Sequence, residues 1–263
     1  MTEMHALGLN SMLRARSRFP TLCAAALAML ALPAQAAESD GAWRHSFALY
    51  GMGVAIDGDA RIGPVEVPVD LGISDVFDAL EWGAMAAYRV ENDTWSFTGD
   101  VTYMKLAFDE SAQTQLGPVS ASLDADQLTV MATAGYRLSP NLELLGSLAY
   151  FDLSSDLAMR AAGQRVARSG GADWVDPLVG LHYQAPVGGK WTVSLRGDVG
   201  GFGIGSDLTL HGWATLRNQV SDAFSWFFGY RYIAYDYSTG SGLNREVYDL
   251  QQHGPGIGVA YSF

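Results

Sequence analysis

The sequence predicts an all-β protein: an antiparallel up-and-down transmembrane β-barrel of ten strands, with eight strands as the alternative count. Three observations support this prediction. They are an N-terminal leader, a regular alternation of short and long connections between candidate strands, and a final strand that alternates large apolar with small residues. A soluble meander has no reason to place its long loops at one end, so the pattern favours a membrane barrel over a soluble sandwich or lipocalin-like barrel.

The N-terminus is typical of a signal peptide. Three arginines precede an apolar run at 22–32, and the Ala-Gln-Ala at 34–36 forms a small-x-small cleavage site. The apolar run is shorter than the roughly 20 residues that a membrane-spanning helix needs. We therefore expect residues 1–36 to be removed and residues 37–263 to form the barrel. The single cysteine, Cys23, lies in the leader, so the mature chain is expected to contain no thiol or disulfide.

The net negative charge of the chain restricts the classes of molecule that it is expected to bind. The 263-residue chain has a net charge of −12, and removal of the leader takes away three Arg and one Glu, which leaves −14. Nucleic-acid binding needs clustered Lys and Arg, so we expect no nucleic-acid partner. The glycine-rich run 197–205 lacks the Gly-Lys-Ser/Thr ending of a phosphate-binding loop, so we expect no cofactor. The histidines and carboxylates that share a strand are far apart and the mature chain is expected to lack a thiol ligand, so we expect no metal site.

Ten candidate strands, rich in aromatic and β-branched residues, follow one another in the mature chain. Tight connections with turn residues alternate with longer polar segments, which predicts short periplasmic turns and longer extracellular loops. The strands are 43–56, 81–90, 94–108, 120–138, 142–155, 174–185, 191–203, 207–220, 224–237 and 248–263. The tight turns are 91–93, 139–141, 186–190 and 221–223, and the longer connections are 57–80, 109–119, 156–173 and 238–247, with a shorter one at 204–206.

The first long connection is predicted to contain a short helix. Ser74 is a candidate cap, and Val76, Phe77 and Leu80 follow it at helical spacing. Such a helix would either plug the mouth of the barrel or rest on lipid, and a plug would argue against free conduction.

Aromatic residues cluster at the strand ends, where Trp and Tyr concentrate in membrane proteins. One predicted girdle borders the tight turns, and Trp95, Tyr136 and Trp191 belong to it. The predicted outer girdle contains Tyr103, Tyr150, Tyr232 and Tyr248.

Charged residues within the strands fall on the phase opposite to the apolar residues, so they are predicted to face the barrel interior. An interior of this size is largely filled by side chains. We therefore expect a network of salt bridges between strands, and a narrow polar conduit is the alternative. The predicted luminal network consists of Arg89, Asp100, Arg137, Glu143, Asp176, Arg196, Asp198 and Arg231.

The leader, the alternating strands, the aromatic girdles and the C-terminal phenylalanine resemble the small outer-membrane β-barrels of Gram-negative bacteria, including the OmpA-like transmembrane domain and porin-like proteins. The resemblance implies the outer membrane as the location. It also implies that Val259, Tyr261 and Phe263 form the signal read by the outer-membrane assembly machinery, with periplasmic chaperones as partners during biogenesis.

The function predicted for the mature chain is non-enzymatic: a structural or surface-loop-presenting barrel in contact with outer-membrane lipid. A narrow porin-like channel for small solutes is the first alternative. Arg160, Arg165 and Arg168 stand out in the acidic loop 156–173 and are predicted to contact lipopolysaccharide phosphates. No sequence feature identifies a protein partner at the cell surface.

The second alternative is a surface-lipid or peptide hydrolase that uses His182 or His211. The carboxylates Asp176 and Asp207 lie on the same strands as these histidines, roughly 20 and 13 Å away at strand spacing. A catalytic site would therefore have to be assembled between strands.

Overall fold

A computed structural model of the protein describes residues 42–62, 65–114, 117–161, 164–242 and 245–263. The predicted leader and its cleavage site lie outside the described residues, so they stay predictions. Within the described ranges, no helix is long and apolar enough to cross a membrane.

The described chain folds into twelve antiparallel strands and one short helix. In chain order they are β1 (Arg44–Met52), β2 (Ala55–Ile62), β3 (Val65–Leu71), α1 (Ile73–Ala79), β4 (Leu80–Glu91), β5 (Trp95–Thr114), β6 (Gly117–Ser139), β7 (Leu142–Ala161), β8 (Gln164–Gly188), β9 (Trp191–Gly201), β10 (Leu208–Gln219), β11 (Phe224–Thr239) and β12 (Glu246–Ser262). Consecutive strands from β4 to β12 pair with one another, and β1 pairs with both β4 and β12, which closes the barrel.

The wall has ten strands because β1 and β2 are two parts of one wall strand. β12 pairs with β1 up to Met52↔Gly256 and then with β2 from Ala55↔His253. Gly53 bridges the interruption through its backbone N–H, which donates to the Pro255 carbonyl at 2.9 Å. The ten-stranded barrel is therefore confirmed, and the eight-stranded alternative is wrong.

The wall separates an apolar outer face from a mixed inner face. On β7, Leu144 and Leu148 are exposed on the outside, whereas Glu143 and Ser147 are buried on the inside. This alternation is what strand geometry gives when lipid lies on one side.

Aromatic residues mark both borders of the apolar band. Trp95 and Tyr136 pack edge to face at 5.0 Å beside the tight turns, which define the turn end of the barrel. Trp82 and Tyr103 pack at 5.2 Å toward the opposite, loop end, and the exposed Glu81–Lys105 pair follows them. Tyr248 was predicted in the outer girdle, but it is 5% exposed inside the barrel, so that assignment is wrong.

The predicted loops 109–119 and 156–173 are largely strand. β5 and β6 stay paired to Thr114↔Gly117, and β7 and β8 stay paired to Ala161↔Gln164. A ladder satisfies the backbone N–H and C=O groups whatever the side chains, so polar composition does not end a strand that has partners. The four strands β5–β8 therefore extend beyond the apolar band as one sheet.

The first long connection contains the β2–β3 hairpin and the predicted helix. The helix is preceded by Gly72 rather than capped by Ser74, and the Asp75 carboxylate accepts the Gly72 N–H at 2.9 Å. A carboxylate three positions inside a helix reaches back in this way, so Ser74 is not needed as the cap. Val76 and Ala79 are buried and pack into the apolar interior of the barrel.

Candidate functional site in the barrel interior

The half of the interior nearer the loop end is apolar and aromatic. Phe151 on β7 stacks on Trp174 on β8 at 5.0 Å, and both rings meet Tyr235 on β11 at 5.3 Å. β7 and β11 are four steps apart in the ten-stranded wall, so these rings pack across the interior. Val76 and Ala79 of α1 belong to the same cluster.

Below this apolar layer, a buried ion pair also crosses the interior. Arg231 on β11 donates from Nη2 to Asp100 Oδ1 on β5 at 3.0 Å, and the two residues are 2% and 6% exposed. Arg231 Nη1 donates to the Tyr50 hydroxyl at 2.6 Å, and that hydroxyl donates to Asp100 Oδ2 at 2.7 Å. The guanidinium also lies 4.7 Å from the centre of the Trp213 ring. This closed set of contacts satisfies a charge pair that would otherwise be costly to bury.

The buried pair continues into a chain of polar groups. Arg231 Nε donates to His211 Nε2 at 3.2 Å, so Nδ1 is the nitrogen left to donate to Asp198, 2.8 Å away. Arg196 donates to the same carboxylate at 2.7 Å and reaches Thr133 on β6 at 3.0 Å. Strands β5, β6, β9, β10 and β11 are therefore joined through the interior.

A second charged group lies nearer the turn end. Arg89 Nη2 donates to both Glu143 oxygens at 2.7 and 2.8 Å and to Glu91 at 2.8 Å. Arg137 lies 3.5 Å from each of these two carboxylates. Two arginines and two glutamates thus tie β4, β6 and β7 together.

Glu143 is also the end of a three-residue chain between strands. The His182 Nδ1 atom lies 3.0 Å from Glu143 Oε2, and His182 Nε2 lies 2.8 Å from the Ser194 hydroxyl. A hydroxyl, an imidazole and a carboxylate in this order are the parts of an activated serine nucleophile. Asp176, the carboxylate on the same strand as His182, is not its partner. Glu143 lies beside His182 instead, because β7 is the ladder neighbour of β8 and Glu143↔His182 are in register.

Asp176 lies apart from both charged groups. Its Oδ2 accepts from the Trp174 indole at 2.9 Å, the Ser206 hydroxyl at 2.7 Å and the Thr209 hydroxyl at 2.6 Å. Its Oδ1 accepts the Ser206 backbone N–H at 2.7 Å. The carboxylate therefore fixes the turn after β9, where Phe202 has a positive φ of 53°. Seven of the eight predicted luminal residues thus lie in two groups, and Asp176 holds a turn instead.

Two interior cavities adjoin these groups. One of about 160 Å³ is lined by both charged groups, including Arg89, Asp100 and Arg196. The other, of about 270 Å³, adjoins the tight turns beside Arg137 and His182. In the part of the chain that the structure describes, no group of three or more His, Cys, Asp or Glu side chains is arranged to hold a metal.

The remaining predicted residues lie at opposite ends of the barrel. Arg160 and Arg168 are exposed near the tip of the β7–β8 hairpin, and Arg165 is the ladder partner of Arg160. Phe263 lies at the turn end, where its N–H donates to the His45 carbonyl at 2.9 Å. Val259 and Tyr261 face outward, at 42% and 54% exposed.

Several polar partners in the interior are not evident from the sequence. Gln127 on β6 donates to Gln252 on β12 at 3.0 Å, again across the interior. Tyr50 and Glu91 were not assigned to the network, although Glu91 has the same strand phase as Arg89. Strand phase was the available signal for these residues, but it does not reveal which strand lies opposite.

No protein-family model matches the sequence, and no curated protein matches it. Among solved structures, the translocator domain of the autotransporter NalP from Neisseria meningitidis is 14% identical, with 86% of this chain and 90% of that chain covered and a TM-score of 0.47. The outer-membrane protease OmpT from Escherichia coli is 10% identical, with 87% and 99% covered and a TM-score of 0.46. The attachment invasion locus protein Ail of Yersinia pestis is 13% identical, with 86% and 100% covered and a TM-score of 0.37. At these values the comparisons support no transfer of activity.

Proposed function

We propose that this protein is a non-enzymatic integral barrel of the bacterial outer membrane, with an interior that is filled along the barrel axis and a structural or surface-presenting role. One observation carries the proposal. Contacts between strands on opposite sides of the wall fill the interior at two levels, the ring cluster around Trp174 and the Arg231–Asp100 pair. In outer-membrane barrels the short turns lie on the periplasmic side and the long loops outside. The turn end of this barrel would therefore face the periplasm, and the β5–β8 sheet would project from the cell surface.

The same observation weighs against the porin-like alternative. A conducting pore needs a continuous polar path, whereas the loop-end half of this interior is lined by buried apolar residues such as Phe151 and Tyr235. The two interior cavities beside the charged groups, of about 160 and 270 Å³, are also each smaller than the about 300 to 1,000 Å³ of small-molecule sites. We therefore expect the folded barrel not to conduct.

Conductance of the refolded mature protein in planar bilayers tests this proposal, after heat-modifiable gel migration has confirmed folding. The expected result is a folded barrel that gives no reproducible current steps. Stable steps that disappear in Thr98→Trp but persist in Gly99→Trp would support the channel instead. These adjacent positions are matched because Thr98 lines the interior cavity, whereas Gly99 has open space beside it on the outer face.

The projecting β7–β8 hairpin supports a proposed contact with lipopolysaccharide. Arg160 and Arg168 are exposed there in a chain of net charge −12, and guanidinium groups bind phosphates in a bidentate manner. Replacing Arg160, Arg165 and Arg168 by Gln should weaken salt-sensitive binding of lipopolysaccharide to the refolded barrel. Arg61→Gln, which removes an arginine paired with Glu66, is the control. Unchanged binding by the triple variant would remove this contact from the proposal.

Hydrolysis is a second candidate function, favoured by the Ser194–His182–Glu143 chain alone. The ion pair between Glu143 and Arg89 favours a structural role for Glu143 over a catalytic one. A fluorophosphonate probe separates the two, because an activated serine is phosphonylated and an ordinary hydroxyl is not. Ser225, another luminal serine, is the control. Labelling that is lost in Ser194→Ala and retained in Ser225→Ala would favour the hydrolase. An unlabelled wild-type barrel would favour a purely structural role for the Ser194–His182–Glu143 chain.

A further inference from the structure

The barrel wall has an opening between β1 and β4 near the loop end. The β1–β4 ladder ends at Tyr50↔Met85, although β4 continues to Leu80 in its pairing with β5. Beyond this point β2 pairs with β12 and β3. Among the described residues, no ladder pair joins β4 to β2 or to β3. The helix α1 lies beside the opening and contacts β2, β3 and β5.

A cavity of about 570 Å³ passes through this opening. Ile257 and Phe77, which are 65% and 56% exposed on the lipid-facing side, line its outer part. Met104 and Val76, which are 7% and 4% exposed and belong to the apolar interior, line its inner part. We call this cavity the wall cleft. It runs from the outer face of the barrel to buried apolar residues that belong to the same cluster as the interior rings.

The lining of the wall cleft is apolar apart from two tyrosines. The Tyr50 hydroxyl is held by Asp100 and Arg231, and the Tyr103 hydroxyl donates to Asp126 at 2.7 Å, so neither is free to orient a polar ligand. Glycines on both rims keep the cleft open, because Gly51 has no neighbouring atom within 4 Å of an added Cβ and Gly83 has only ordinary contacts. Such a site recognises its ligand by burial of apolar surface.

We propose that the wall cleft binds an acyl chain of a lipid from the surrounding membrane. The cleft is continuous with the lipid-facing surface, and its volume lies within the about 300 to 1,000 Å³ of small-molecule sites. The exposed Glu81–Lys105 pair lies one residue beyond the cleft residue Met104 toward the loop end, which marks the level where charge becomes tolerated outside. A chain in the cleft therefore leaves its headgroup at the polar border, which favours a membrane lipid over a molecule without a headgroup.

Photolabelling tests the proposal. The mature barrel is refolded into phosphatidylcholine vesicles that contain a phosphatidylcholine with a diazirine on its acyl chain, irradiated, and mapped by mass spectrometry. The expected result is labelling of the inward-facing Met104 and Val76 as well as the outward-facing Ile257 and Leu148. Label confined to outward-facing residues would overturn the proposal.

Three glycine-to-tryptophan variants make the test specific. Gly83→Trp and Gly51→Trp fill the cleft from its two rims and should lower labelling of Met104 about tenfold, the change that loss of contact with roughly two methylene groups gives. Gly99→Trp adds the same side chain to the outer face of β5, away from the cleft, and should leave the labelling of Met104 unchanged. Using both rim variants keeps the test valid if one of them fails to show heat-modifiable migration.

Two further outcomes would also overturn the proposal. Equal labelling of Met104 in the rim variants and in Gly99→Trp would show that the label does not enter through the cleft. Labelling of Met104 by a diazirine fatty acid, but not by the diazirine phosphatidylcholine, would assign the cleft to a free amphiphile instead of a membrane lipid.

Discussion

Among single residues, the buried charges organise the interior of this barrel. Burial of any one of them without its partner would be strongly unfavourable. Arg231 is buried, and its guanidinium contacts Asp100, Tyr50, His211 and the Trp213 ring. Removal of one partner from such a set leaves the other charge buried without compensation. The polar layer is therefore a place where small chemical changes have large structural effects.

Asp100→Ala should destabilise the barrel by about 3 to 5 kcal/mol, because Arg231 then keeps its charge without its carboxylate partner. Glu66→Gln is the control, since the exposed Arg61–Glu66 pair should contribute at most about 1 kcal/mol. Urea unfolding of both variants in lipid vesicles measures the free energies. Equal changes in the two variants would mean that the interior pair does not stabilise the fold.

Asp236 provides a prediction about pH. Asp236 lies opposite Asp249 at the loop end, and burial, followed by the charges of Asp249 and Asp207, raises the pKa of Asp236 above its usual range. The folded state therefore favours the protonated carboxyl, and this contribution is lost as pH rises through the raised pKa. Acidification from neutral pH toward the ordinary pKa of an aspartate carboxyl should therefore stabilise wild type more than Asp236→Asn. Identical pH profiles in urea unfolding would contradict the prediction.

At the scale of elements, the strands that project beyond the apolar band are the main difference from the predicted loops. β7 is paired with β6 and β8 throughout this region, so its backbone N–H groups are bonded alternately to one neighbour and the other. The turn after β9, by contrast, is fixed by one buried carboxylate, Asp176. The loop end therefore combines a rigid projecting sheet with a turn held by side-chain contacts.

Hydrogen exchange tests whether the projecting hairpin is strand or loop. The amides at 155–159 in β7 should be strongly protected in the wild-type barrel, because the ladder occupies them. Ala158→Pro removes one ladder donor and should raise exchange at the neighbouring residues, with the membrane-embedded part of β7 unaffected. Rapid exchange in the wild type, at rates typical of irregular loops, would contradict the strand assignment.

At the scale of the whole molecule, the barrel is closed by its two terminal strands. β12 pairs with β1 from Ser46↔Ser262 to Met52↔Gly256, and the His45 and Phe263 rings stack at 5.5 Å just beyond this ladder. Because β12 pairs with both β11 and β1, the wall is closed only when this strand is in place.

Deletion of Phe263 should lower the amount of heat-modifiable barrel in the outer membrane of cells, with little effect on refolding into detergent in vitro. The reason is that recognition by the assembly machinery is expected to need the terminal aromatic residue, whereas the remaining ladder closes the barrel by itself. Phe97→Ala is a matched control because both phenylalanines are 46% exposed. Equal losses in cells for the two variants would argue against the signal.

Most of the barrel wall can be predicted from local sequence patterns. Period-2 alternation predicts which face of each strand lies inside, and turn residues predict where the short connections fall, because both are local properties of the backbone. Ten wall strands and the short helix at 73–79 follow from these patterns. Residues such as Arg89 and Arg231 could be assigned to the interior for the same reason.

The contacts between interior residues depend on the tertiary fold. Arg231 contacts Asp100 from four strands away, and His182 contacts Glu143 from the neighbouring strand, because curvature and register bring them together rather than sequence distance. The β5–β6 and β7–β8 ladders also continue through the polar segments that were predicted to be loops, because the strands stay in register. The wall cleft depends on a ladder that ends at Tyr50↔Met85, and no local pattern encodes where two strands separated by α1 stop pairing.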